Sequence, residues 1–216
     1  MAEKYRYEEF TWPEIREAVA QQRVAVLPVG TIEQHGPHLP LLTDVITATE
    51  MSRRAVEQIA GEAVLLPSVQ YAFNEHHLDF PGTIAVQGPT FINYITDIGQ
   101  SLAHHGFRKI LLVNGHGSNV PFLDIAARNI TNHSDAICAM VPWWKPGAQV
   151  AAGRTARVGI SGWHGARLRT RDLAAALFVR PPGADGQGRE RYASAKVGVL
   201  LLGSAGTFAG LLPGIL

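Results

Sequence analysis

Short β-branched apolar runs recur along the first two thirds of the chain, each followed by a stretch whose apolar positions fall at helical spacing. RVAVLPV (23–29), AVLLPSV (63–69), KILLVN (109–114) and AICAMVP (136–142) read as buried strands. Thr11 followed by Glu14 has the form of a capping box and predicts a first helix over 12–22. DVITATEMSRRAVEQIA (44–60) places Val45, Ala48, Met51 and Ala55 on one side of a second helix. Pro89 can open a third over about 90–105, and VPFLDIAARNI (120–130) reads as a fourth. Strands alternating with helices predict an α/β fold, a three-layer α/β/α sandwich on a mostly parallel central sheet.

Two connections break the rhythm. TIEQHGPHLPLLTD (31–44) follows the first strand and carries Glu33, His35, His38 and Asp44 with no helical or strand period. NGHGSN (114–119) follows the third strand and carries His116. In parallel sheets, sites lie beyond the carboxyl ends of strands, and both connections fall there. Carboxylates with imidazoles suit a borderline divalent ion such as Zn²⁺ or Mn²⁺, and no cysteine competes for the role. Glu33, His35, Asp44 and His116 are therefore the candidate metal ligands, with Asp44 able to offer one oxygen to each of two ions. Such ions lower the pKa of a water toward neutrality and polarise a carbonyl. Pro37 and Pro40 would stiffen the loop. Taken singly the residues have plainer readings: Asp44 as a helix N-cap, NGHGSN as a tight turn or phosphate cradle. His76 and His77, beside DFPGT (79–83), read equally as loop packing or substrate contact. His104 and His105, late in an amphipathic helix, suit interaction with its C-terminus.

Composition adds a compartment and a discontinuity. The 216 residues, 46% hydrophobic and 17% charged, describe an ordinary globular chain. The single cysteine, Cys138, excludes an intrachain disulfide, and MAEKYRYEEF lacks the apolar run of a signal peptide, so the expected location is cytoplasmic. The net charge of +1 conceals a break. Residues 1–150 carry 10 Lys/Arg against 15 Asp/Glu, whereas residues 151–216 carry 9 against 3. A basic tail can signal nucleic acid, but no aromatics are interleaved with these arginines and no nucleic-acid partner is expected.

The order LPVGTIEQHGPHLPLLTD, FPGT, VNGHGSN resembles the creatininase (creatinine amidohydrolase) family over about residues 8–144. The resemblance implies a metal hydrolase cleaving amide-type C–N bonds in a small-molecule, formamide or peptide-like substrate, assembled as a homo-oligomer, often a hexamer. It implies that Glu33 and His116 hold one ion and His35 the other, with Asp44 between them. Two departures follow. The creatinine-cleaving members carry a Glu where this chain has Ser118, which argues against creatinine as substrate. The broader members supply an acid from a later motif of the form GGMAHACExETS, and this chain reads GWHGARLRTRDLA (162–174) where that motif is due. Weak or absent turnover is expected of the chain as written, and a non-catalytic metal- or ligand-binding descendant is the alternative reading.

The genetic code offers a reason. Codons permitted for Gly162 through Ala174, read one nucleotide later, can spell GGMAHACELETS, and those for Pro182 to Arg189 can spell LVRMDKA. Codon degeneracy makes some agreement cheap, but the Trp163 codon forces a glycine in the displaced frame. The expected organisation is therefore a metal hydrolase domain over 1–150 and, over 151–216, an aberrant tail encoded by the domain's own C-terminal part in a displaced frame. On this reading VGVLLLGSAGTFAGLLPGIL (197–216), uncharged and long enough to span a bilayer, is a by-product of that frame and no membrane anchor is expected.

Overall fold

The computed structural model of the chain describes residues 3–145. The chain divides into Met1–Trp143 and Trp144–Leu216, so the described residues belong almost wholly to the first unit; the displaced-frame reading concerns residues outside the described ones. Four parallel strands, β1 (Val24–Val29), β2 (Ala63–Leu65), β3 (Lys109–Asn114) and β4 (Ile137–Pro142), form one sheet in the order β2-β1-β3-β4. The helices are α1 (Trp12–Ala20), α2 (Thr43–Glu57), α3 (Gly88–His104) and α4 (Val120–Asn132). Val26 pairs with Leu65 on one side and Leu111 on the other, which fixes the register at the sheet's centre.

Strand residues alternate between two apolar layers, as a period of two requires. Ala25, Leu27, Val29, Val64, Ile110, Leu112 and Cys138 join one cluster with Ala18 of α1, Phe91, Ile95 and Leu102 of α3, and Leu123, Ala126 and Ile130 of α4. Val24, Val26, Ala63, Leu65 and Val113 are buried outside that cluster, as are Val45, Ala48, Ala55 and Val56 of α2. The three-layer α/β arrangement predicted from the sequence is present. Burying a Leu, Ile or Phe in such layers contributes roughly 1.5–3 kcal/mol each. Gly99 lets α3 settle on α4, since a Cβ there would collide with Ile130. Among the described residues no helix is long and apolar enough to cross a membrane.

The topology also sets where a site can form. The connection from β1 leads through α2 outward to β2, whereas that from β3 leads through α4 outward to β4 in the other direction. Right-handed crossovers then put α2 and α4 on opposite faces. Between β1 and β3 the chain direction diverges, leaving a crevice at their carboxyl ends.

Two local predictions shift. The second strand ends at Leu65 rather than reaching Val69: Pro28 of β1 has no N–H to give the Leu66 carbonyl, and the pairing slips by one residue before Val69 donates to Pro28 O at 2.9 Å. Asp44 is not the N-cap of α2. Leu42 holds that position, its carbonyl accepting from Ile46 N–H at 2.9 Å, and Asp44 lies inside the first turn. The capping box at α1 is as predicted, Glu14 Oε2 accepting from the N–H and hydroxyl of Thr11 at 2.7 and 2.8 Å.

On the outer face of α2, Glu50 accepts from both Arg53 (2.8 Å) and Arg54 (2.6 Å). The Arg53 hydrogen bond is the main cause, with Arg54 adding to it, of a Glu50 carboxyl held down at about 2. A carboxyl depressed in the folded state adds stability above its unfolded pKa and loses it as pH falls toward its folded one. Glu50→Gln should therefore cost about 0.5 kcal/mol at pH 7, a small figure because solvent screens the pair. The difference from the parent should shrink between pH 4.5 and about 2 in urea melts taken across that range.

Candidate metal centre

Both site loops leave the sheet at the divergence point, Gly30 directly after β1 and Gly115 directly after β3. The first turn of α2 is pressed against both. A Cβ on Gly30 would lie 2.5 Å from the backbone N and Cα of Val45. One on Gly115 would strike the carbonyl oxygen of Asp44 and sit 3.0 Å from Ala48 Cβ. Only glycine allows this approach, and the approach carries Asp44 into the crevice.

Buried amides lock the frame. Asn114 accepts from His116 N–H at 3.1 Å and donates to His116 O at 2.7 Å, which fixes the turn that presents the imidazole. Asn119 Nδ2 donates to Gly30 O at 3.2 Å, tying the two strand exits together. Gly115 N–H donates to Val29 O at 2.7 Å, and Glu33 N–H donates to Leu41 O at 3.1 Å. Asn74 Nδ2 donates to Ile32 O at 2.8 Å, and Ile84 N–H donates to the same carbonyl at 3.2 Å. These bonds bring the 71–84 loop over the crevice.

All four candidate ligands converge there. Glu33, Asp44 and His116 are buried at 5%, 7% and 6% exposure, far below what an unpaired charge tolerates. Asp44 divides its oxygens: Oδ1 lies 2.9 Å from His35 Nε2, and Oδ2 lies 2.9 Å from His116 Nδ1. Glu33 Oε1 lies 3.2 Å from His116 Nδ1 and 3.9 Å from His35 Nε2. Donor atoms of Glu33, His35 and Asp44 all fall within 4.8 Å of one another, close enough to share one ion. Asp44 Oδ2 nonetheless has no aligned hydrogen bond, and neither have Glu33 Oε2 and His116 Nε2. Buried polar atoms left in that state call for a partner.

The charges agree with the geometry. Burial pulls the His116 imidazolium down, but Asp44 and Glu33 outweigh it and raise the group to about 9. Hydrogen bonding to Asp44 raises His35 against its burial. Burial pushes the Asp44 carboxyl up, yet His116 and His35 win and hold it below its ordinary value. The pocket thus demands positive charge, which protons supply here and a divalent cation can supply in their place.

Two histidines left undecided by sequence alone also stand at this site. His77 Nε2 is 3.0 Å from Glu33 Oε2. His76 Nε2 is 3.1 Å from Ser118 Oγ, and its ring stacks on His116 at 5.9 Å between centroids. Burial, then the neighbouring His77 and His116, push the His76 imidazolium down. The adjacency of HH to a Pro-Gly turn was the available signal, but no period in the loop says which way the rings point. His38 is exposed. His104 closes α3 and His105 is its C-cap, as expected. Since α3 runs back across the sheet, they lie at the opposite rim from the crevice.

The fold and the crevice together define the class, a parallel α/β protein with a candidate divalent-cation centre of mixed oxygen and nitrogen donors. The chain belongs to the creatininase family, whose profile, described as creatinine amidohydrolase, it matches over residues 8–190. It is 36% identical over 132 residues to the creatinine amidohydrolase of Pseudomonas putida, covering 56% of this chain and 50% of that protein. It is also 36% identical over 136 residues to the mycofactocin precursor peptide peptidase of Mycolicibacterium smegmatis, covering 61% and 54%. A solved structure named Creatininase Mn superposes with a TM-score of 0.62 at 32% identity, over 69% of this chain and 62% of that one. The chain thus spans about half the length of the curated relatives it matches.

If the contact of Gly115 with α2 positions Asp44, Gly115→Ala must push the helix outward. Zinc affinity is expected to fall about tenfold or more, with stability reduced by about 1–3 kcal/mol. Gly117→Ala, which meets nothing within 4 Å, should leave both unchanged in calorimetric titration and thermal melts.

Proposed function

We propose that residues 1–150 are the metal-holding part of an amidohydrolase that cleaves a C–N amide bond, whether in a cyclic amide, a formamide or a peptide-like substrate. The observation that carries this reading is the division of Asp44, one oxygen toward His35 and the other toward His116, each at 2.9 Å. A carboxylate so placed joins two lobes. Glu33 and His116 face one lobe and His35 the other. The mixed donor set fits Zn²⁺ or Mn²⁺, and the buried oxygens Glu33 Oε2 and Asp44 Oδ2, which have no hydrogen bond, are acceptors a cation could take up.

A divalent cation in this crevice would supply a Lewis acid and a water of lowered pKa for attack on an amide carbonyl. The chain's own residues set the conditions. Asn114 and Asn119 keep the strand exits rigid, and the buried carboxylates keep the pocket negative. Ser118 bears on specificity and occupancy. It follows His116 by two residues, where the creatinine-cleaving members of the family carry a Glu, and its hydroxyl is engaged with His76. A hydroxyl gives no anionic ligand, so the lobe at His35 is left with one imidazole and one shared carboxylate. One tightly held ion per chain is the expected stoichiometry, with creatinine a poor substrate and turnover weak. A homo-oligomer of cytoplasmic location, acting on a small-molecule amide without nucleic-acid or membrane partners, completes the reading.

Elemental analysis after dialysis should find close to one zinc or manganese per chain. Asp44→Asn should abolish retention, because it removes charge from both lobes at once. Two tightly held ions would contradict the assignment of Ser118, and none would contradict the metal reading itself.

We further infer that residues 151–216 are a displaced-frame reading of the domain's C-terminal part. The charge break and the permitted string GGMAHACELETS support this. Resequencing the DNA around codons 140–165 tests it, and restoring the frame should restore hydrolysis on a panel of amides. A restored chain that binds metal but cleaves none of the panel would favour the non-catalytic descendant.

A further inference from the structure

Residues 3–6 run along the outer edge of β2, on the side of that strand away from β1. Leu65 N–H donates to Tyr5 O at 2.7 Å, and Arg6 stands opposite Leu65 in a parallel bridge. Apolar burial does not hold this arm in place, since none of residues 3–6 is buried. Tyr7, the next residue, packs against the core.

The anchor is Arg23, 7% exposed and directly before β1. Its Nε donates to Gln21 Oε1 at 2.7 Å, and Nη1 donates to the carbonyls of Ala60 at 3.0 Å and Lys4 at 3.2 Å. Nη2 donates to Glu3 Oε1 at 2.6 Å. A buried guanidinium needs a counter-charge, and of these partners Glu3 alone carries one. Glu3 Oε2 also fills the space beside Gly61, 2.8 Å from where a Cβ there would stand. Lys4 turns away from the anchor and pairs with Glu14 Oε1 at 2.7 Å.

The edge therefore has the parts of a docking groove for an extended chain: a strand to pair with, a buried cation at one end, and a segment seated in it. In such grooves main-chain pairing supplies affinity and side-chain sockets supply selectivity. The arm lies before residue 8, where the match to the family profile begins, so that match does not account for it. We propose that the outer edge of β2 is a docking groove for an extended segment bearing a carboxylate, and that residues 3–6 fill it to keep a second copy from pairing there. An uncovered strand edge is a template for another chain. Without the arm, Leu65 N–H loses its acceptor and Arg23 its charged partner. Held by polar contacts, the arm belongs to the low-stability end of the fold and can exchange with a free segment.

The test uses the full chain without residues 2–6. A fluorescein-labelled peptide of residues 1–8, MAEKYRYE, is titrated against it by fluorescence anisotropy. The peptide should bind saturably, and the same peptide with Glu3→Gln should bind about tenfold more weakly. Light scattering should show the shortened chain in a larger assembly than the parent at equal concentration, and the first peptide should reverse the increase. No binding, or equal affinity for the two peptides, overturns the groove; an unchanged size overturns the guarding role. Should the shortened chain not fold, Glu3→Gln in the full-length chain answers instead. Hydrogen exchange at the Leu65 amide, followed by NMR, should then quicken about tenfold, while the Leu112 amide of β3 keeps its rate. No change at Leu65 overturns the proposal.

Discussion

The site depends on how closely one helix can approach two strand ends. The first turn of α2 lies against Gly30 and Gly115 with no room for a Cβ at either position. Those glycines mark the exits of the two central strands, β1 and β3, between which the chain direction diverges. Because the helix fits into that divergence, the Asp44 carboxylate reaches His35 from one exit loop and His116 from the other. Backbone packing here does the work that a longer acidic side chain would do less rigidly.

What fills the crevice is then an electrostatic necessity. Glu33 and Asp44 are nearly inaccessible to water, and two ionised carboxylates so placed must be neutralised locally. Protonated imidazoles answer part of that demand, and it is why His116 and His35 are raised. They do so with poor alignment, leaving Glu33 Oε2, Asp44 Oδ2 and His116 Nε2 without hydrogen bonds. A divalent cation removes both faults, since it carries the charge on a single point and accepts lone pairs from several directions.

Much of this was legible in the sequence, for reasons that differ from element to element. The strands Lys109–Asn114 and Ile137–Pro142 stand within a residue of their predicted ends, because continuous β-branched runs bounded by polar turns leave few alternatives. AVLLPSV misled because its apolar content persists past Leu65, whereas Pro28 of the neighbouring strand has no N–H to continue the regular ladder. Asp44 preceded an amphipathic stretch and looked like a cap, whereas Thr43 already lies in the helix and the side chain is freed for the crevice. The gathering of Glu33, His35 and His116 was predictable from the two strand exits, and that of Asp44 from its place at the start of the next helix. The inward turn of His76 and His77 was not. It depends on hydrogen bonds from Asn74 and Ile84 to the Ile32 carbonyl, between loops more than forty residues apart, and no local pattern encodes them.

The central claim is that Asp44 stands between two lobes of a cation site, with Glu33 and His116 on the lobe that holds the ion and His35 on the other. Anomalous diffraction at the manganese edge, from crystals of the chain grown with Mn²⁺, addresses it directly. A peak within about 2.0–2.4 Å of a carboxylate oxygen of Asp44, and in contact with Glu33 and His116, is the predicted result. An ordered crystal in equimolar or excess Mn²⁺ that shows no peak in the crevice, or shows one that Asp44 does not touch, would contradict the account.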